Sequence, residues 1–202
     1  MCGRFTQTKT REEASEELGG IELPPLFHRR FNVAPSQHVA VIRQSHSDIA
    51  QSAVWGFERK GTPVINARSE TLTERSMFRD LLSTNRCLIP ADGFFEWKEQ
   101  SPYYFQLPNR RLFAFAGLWR DGRCVIITRS ADHNMRQIHH RMPVILPVQQ
   151  WNLWLQEARY PDPPQLSSRP VARRVNRVIH DDPACLDPGE EQIDLSLFPS
   201  AD

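Results

Sequence analysis

A chain of 202 residues, 40% hydrophobic and 24% charged, has the proportions of a folded globular protein. Its length suits a single domain spanning 1–202. Net charge is +1, from 25 basic and 24 acidic residues, so overall charge makes no case for a nucleic-acid partner. No apolar run is long enough to cross a bilayer, and the opening Met1-Cys2-Gly3-Arg4-Phe5 has neither an apolar signal core nor a cleavage site. A cytoplasmic protein, monomeric and with no membrane partner, is the expectation.

In chain order, Thr10 with Glu13 three residues on is a capping-box pattern and predicts a helix over 10–18. Short runs rich in β-branched and aromatic residues predict strands over 38–43 and 49–55. A helix over 73–82 precedes further strands over 86–89, 94–98, 103–107, 112–118 and 124–128. A helix over 131–138, a strand over 144–146 and a helix over 149–158 follow. The Pro- and Ser-containing stretch 161–170 is expected to be a surface connection to a last strand over 171–178. Sixteen prolines and nine glycines break the chain into short elements, so the class is α+β and strand-rich.

Cys2, Cys87, Cys124 and Cys185 include no C-x-x-C pair, so reduced thiols are expected, with no metal and no cofactor. Cys2 differs from the others by its position. Once Met1 is removed it carries an α-amine and a thiol on adjacent carbons. The amine, with a reference pKa near about 8, can attack an aldehyde, and the thiol can close onto the imine to give a thiazolidine. Attack of the thiol on an amide is the alternative.

Glu96 lies in the aromatic run Asp92-Gly93-Phe94-Phe95-Glu96-Trp97-Lys98. Alternation puts it on the face of Phe94, where an apolar cleft would raise its pKa, or where solvent would pair it with Lys98. His139 and His140 stand where a helix hands over to a strand, and either one could carry protons or cap the helix. Asn66 and Asn32 sit beside apolar residues, as orienting amides or as turn formers. Lys9, Lys60 and Lys98 are the only lysines among the 25 basic residues. That arginine bias suits phosphate contacts and is equally an effect of base composition. No P-loop, G-x-G-x-x-G, G-x-S-x-G or H-E-x-x-H occurs.

Taken in order, MCGRF, FNVAPSQ, WGF, INARSET, CLIPADGFFEWK, IITRSAD, IHHRMPVIL and VARRVN resemble the SRAP family, the SOS-response-associated peptidases. The resemblance runs from Cys2 to about Cys185. It implies curved antiparallel and mixed sheets forming a barrel-like core with flanking helices. It also implies a sensor of abasic sites in single-stranded DNA that crosslinks through Cys2 after loss of Met1, acting at the nucleoid during DNA repair. Matched positions imply that Cys2, Asn66, Glu96 and His139 are catalytic. Arg4, Asn32, Arg68, Arg75, Trp97 and Arg141 would line the DNA cleft. One departure is clear: after WGF the chain passes through Glu58-Arg59-Lys60-Gly61 directly to Thr62-Pro63, without the Trp-rich insertion of relatives. A Cys2-dependent autoprocessing peptidase and a noncatalytic single-strand binding module are the competing expectations.

Overall fold

A computed structural model describes residues 2–189. The chain enters as strand β1 (Arg4–Gln7), and helix α1 (Arg11–Glu17) follows. The capping box is formed: Thr10 Oγ1 accepts the Glu13 amide at 3.2 Å while Glu13 Oε2 accepts that of Thr10 at 2.8 Å. Next come β2 (Arg30–Val33), β3 (His38–Arg43) and β4 (His46–Trp55). A small hairpin of β5 (Phe57–Arg59) and β6 (Thr62–Val64) turns through Lys60 and Gly61, both at positive φ, and leads into β7 (Asn66–Arg68). Positive φ at both central residues is what a two-residue hairpin loop requires.

The expected helix over 73–82 contracts to α2 (Ser76–Arg79), one turn carried by buried Phe78. Strands β8 (Arg86–Ala91), β9 (Gly93–Lys98), β10 (Ser101–Gln106), β11 (Phe113–Arg120) and β12 (Arg123–Ser130) follow where strands were expected. Short α3 (His133–Arg136) precedes β13 (Arg141–Pro143), β14 (Ile145–Pro147) and α4 (Trp151–Leu155).

The last strand is displaced from its expected place. β15 (Ser167–Pro170) falls in the stretch expected to be a plain connection, whereas 171–178 holds a single bridge at Val171 and a 3-10 turn at Arg173–Asn176. Among the described residues β15 pairs only with β10, so it stands at the edge of its sheet, where Pro170 costs no ladder bond.

β12, β4, β3, β8 and β11 pair successively and β11 pairs again with β12, closing a ring. This is the barrel-like core that the family resemblance implied. The second sheet has the order β15-β10-β9-β1-β2. Alternation sorts the side chains between two cores. On β8, Cys87, Ile89 and Ala91 join a cluster with Phe5 and Phe94 of the second sheet, while Leu88 joins the helix-side cluster with Ala14, Trp151 and Trp154. On β11, Phe113 and Phe115 take the first side and Ala114, Ala116 and Leu118 the second. Each fully buried Phe in the first cluster contributes roughly 1.5–3 kcal/mol. Gly93 is required where it stands, because a Cβ there would overlap the Tyr104 hydroxyl.

Candidate functional site

β1 lies between β9 and β2, with Arg4 opposite Phe95 and Phe5 opposite both Phe94 and Val33. The segment Cys2-Gly3 therefore leads directly into an interior strand of the sheet. Cys2 is 0% exposed and packs in the cluster of Phe5 and Phe94. Glu96, one position beyond the Arg4–Phe95 pair on β9, lies across from the segment joining Cys2 to Arg4. Asn66 opens β7, which runs parallel to β12 with Asn66 beside Ile126. From there its Nδ2 donates to the Cys2 carbonyl at 2.9 Å. Its Oδ1 is buried without a bonding partner among the described residues.

His139 lies between α3 and β13. Its Nδ1 is 3.0 Å from both the amide and the carbonyl of Arg141, so backbone holds the ring in either neutral tautomer. The same nitrogen is 3.9 Å from Glu96 Oε1. His140 stacks beside it with ring centroids 4.5 Å apart. The structure thus assembles Cys2, Asn66, Glu96 and His139 from four separate segments of the chain.

The electrostatics follow from burial. Glu96 is 2% exposed, not a solvent partner of Lys98, and desolvation pushes its carboxyl up to about 7 against opposing positive charge that includes His140. Burial, reinforced by the Glu96 charge, drives the Cys2 thiol well above the ordinary cysteine value. Burial also lowers His139 below the usual histidine value. At neutral pH the thiol and imidazole are uncharged, and the glutamate is poised to gain or lose a proton. Among the described residues no group of three or more His, Cys, Asp or Glu converges as metal ligands.

A cleft of about 620 Å³ opens beside Asn66 and is lined by Arg59, Arg68 and Arg75, with Glu74 the facing carboxylate. Arg68 and Arg75 are exposed there, as a binding role needs. Arg59 was not singled out from the sequence. It enters the cleft from the compact hairpin of β5 and β6.

The other expected contacts are committed within the protein. Arg4 Nη1 donates to Asn32 Oδ1 at 2.9 Å and to the Val175 carbonyl at 2.7 Å. Asn32 Nδ2 faces the carbonyls of Val175, Arg177 and His180 at 3.2, 3.1 and 2.7 Å. Trp97 Nε1 donates to Asn176 Oδ1 at 2.7 Å. Arg141 is buried and grips Glu70 bidentately at 2.6 and 2.9 Å, a partner not foreseen from sequence. That bond holds the Glu70 carboxyl down at about 2.

A family model for SOS response associated peptidase matches residues 1–178, most of the chain. The chain belongs to the SRAP family. Among curated SRAP relatives, abasic site processing protein YoqW of Bacillus subtilis is 36% identical over 192 residues, covering 83% of this chain and 85% of that one. Abasic site processing protein YedK of Escherichia coli is 30% identical over 179 residues, covering 78% and 80%. A solved structure from Bacteroides thetaiotaomicron superposes with a TM-score of 0.77 at 20% identity, covering 94% of this chain and all of that one, a likeness of fold alone. No helix among the described residues of this SRAP chain is long and apolar enough to cross a membrane.

Proposed function

We propose that this protein captures abasic sites in single-stranded DNA as a covalent thiazolidine on Cys2, after removal of Met1. The observation that carries the reading is the placement of Cys2: its carbonyl is held by Asn66 beside a buried glutamate whose pKa is about 7. The relatives' name, abasic site processing protein, supplies the substrate class.

Chemistry begins at nitrogen, because the buried thiol stays protonated. The Cys2 amine adds to the aldehyde carbon of the ring-opened sugar, forming a C–N bond. The carbonyl oxygen, protonated by Glu96, leaves as water and an imine results. The thiol sulfur then adds to the imine carbon, and its proton passes by way of Glu96 to the ring nitrogen. The two bonds made balance one water lost, and no oxidant is involved. Asn66 fixes the backbone of Cys2, and its amide oxygen accepts from the freed amine. His139 contacts the opened sugar at its hydroxyl. Arg59, Arg68 and Arg75 hold phosphates of the strand, while Arg4, Asn32, Trp97 and Arg141 brace the surrounding frame through bonds within the protein.

A thiol peptidase would need Cys2 ionised, which burial and the Glu96 charge both oppose. Incubation with a single-stranded oligonucleotide bearing one abasic site, read by intact mass, tests the proposal. The expected product has the protein mass less Met1 plus the DNA less one water, and Cys2→Ala abolishes it. A cleaved peptide without a DNA adduct would favour the peptidase. Salt-sensitive binding that ignores both the abasic site and Cys2 would favour a simple binding module.

A further inference from the structure

Residues 177–180 form a β-turn closed by the His180 amide donating to the Arg177 carbonyl at 3.1 Å, with Val178 and Ile179 at its centre. Turn centres ordinarily take Gly, Asn, Asp, Pro or Ser; a β-branched apolar pair there breaks local turn chemistry. Val178 is 45% exposed and Ile179 86%, the most exposed large hydrophobic side chain among the described residues. The tip is nevertheless firmly mounted. Asn32 bonds the carbonyls at both ends of the turn, and Asp181, just beyond it, accepts the amides of Phe31 and Asn32 at 2.6 and 2.9 Å and pairs with Arg30. Arg4, two residues from Cys2, bonds the Val175 carbonyl at the base of the same segment.

Charge around the tip has one sign to spare. Asp181 and Asp182 are taken by Arg30 and Arg174, whereas exposed Arg173 and Arg177 have no carboxylate partner among the described residues. An apolar point on a rigid base, flanked by free arginines, complements a nucleic-acid strand: phosphates for the guanidiniums and a base step for the aliphatic tip. We infer that Val178 and Ile179 form a wedge that inserts beside a nucleobase near the captured sugar and unstacks it. The inference rests on the proposed DNA reading and adds a second contact surface on the C-terminal segment.

The test uses the full chain and a single-stranded oligonucleotide carrying a tetrahydrofuran abasic analogue, which cannot crosslink, next to 2-aminopurine. Wild type is expected to raise 2-aminopurine fluorescence on binding. Ile179→Ser abolishes the rise and weakens binding roughly tenfold, the order expected when burial of one aliphatic side chain is lost. Ile179→Met retains both. Equal affinity and equal fluorescence for Ile179→Ser would overturn the wedge even if wild type crosslinks normally. So would a free wild-type protein that sediments as a dimer and becomes monomeric in Ile179→Ser with DNA binding unchanged. A wild type that shows the fluorescence change and never crosslinks would leave the wedge standing and remove the Cys2 chemistry instead.

Discussion

Glu96 combines a position on a regular strand with nearly complete burial, and that combination makes it sensitive to pH. Its carboxyl titrates at about 7 when folded, against 4.5 for an ordinary glutamate. Between those values the folded state holds a proton that the unfolded chain has released. Stability therefore falls as pH rises from 4.5 to about 7 and levels off above. In Glu96→Gln that decline should vanish from a series of denaturant melts across pH 4 to 8. Adduct formation by wild type should bend near pH 7, and the variant should be slower by roughly 10²-fold or more with the bend gone; an unchanged profile would take Glu96 out of proton transfer. Asn66 acts differently, through a single bond to the Cys2 carbonyl. Asn66→Ala should slow single-turnover crosslinking about tenfold or more at saturating DNA, with little change in Tm, because it loosens the nucleophile without opening the core.

At the scale of elements, the Arg141–Glu70 pair joins β13 to the 3-10 turn Ser69–Thr71 that follows β7. Arg141 also donates to the Thr128 carbonyl at 2.8 Å, so one guanidinium ties three segments behind the cleft. Here the sign is opposite to that of Glu96. The folded carboxyl sits at about 2, below its ordinary 4.5, so this contribution is present above 4.5 and lost as pH falls toward 2. Glu70→Gln should remove that acid-side loss and destabilise the protein at pH 7, read by urea melts at pH 3 and pH 7. The Thr10 cap is a second element-scale device: Thr10→Ala should cost ~1 kcal/mol without affecting crosslinking.

For the molecule as a whole, a net charge of +1 conceals a local field, with Arg59, Arg68 and Arg75 gathered on one cleft. Replacing each by Ala should weaken binding to single-stranded DNA across sequences and reduce the slope of log K against log salt by about 0.7 for every phosphate no longer neutralised. A slope unchanged in the triple variant would mean that the strand lies elsewhere. The fold was legible to the extent that its rules are local. The central strands and the capped first helix follow from alternation and from Thr10–Glu13, and β11 and β12 stand within two residues of their expected limits. β1, β2 and β15 lacked a local signal because they are short and are stabilised by pairing across the sheet. The expected strand over 171–178 failed because Val171 and Val175 serve a tertiary cluster with Phe95 and Tyr104 through a 3-10 turn, not a ladder.

Residue types and their order determined which groups are on offer in this protein: a thiol at position 2, a carboxyl among aromatics, and the string of motifs that marks the SRAP family. Tertiary structure decided which of those groups come together and which are bonded within the protein. It buried Glu96 beside Cys2, turned Arg4, Asn32 and Arg141 inward to hold the frame, and brought Arg59 into the cleft. The physical reason is range. Alternation and capping act between residues a few positions apart, whereas desolvation and ion pairing depend on what distant segments bring to the same place.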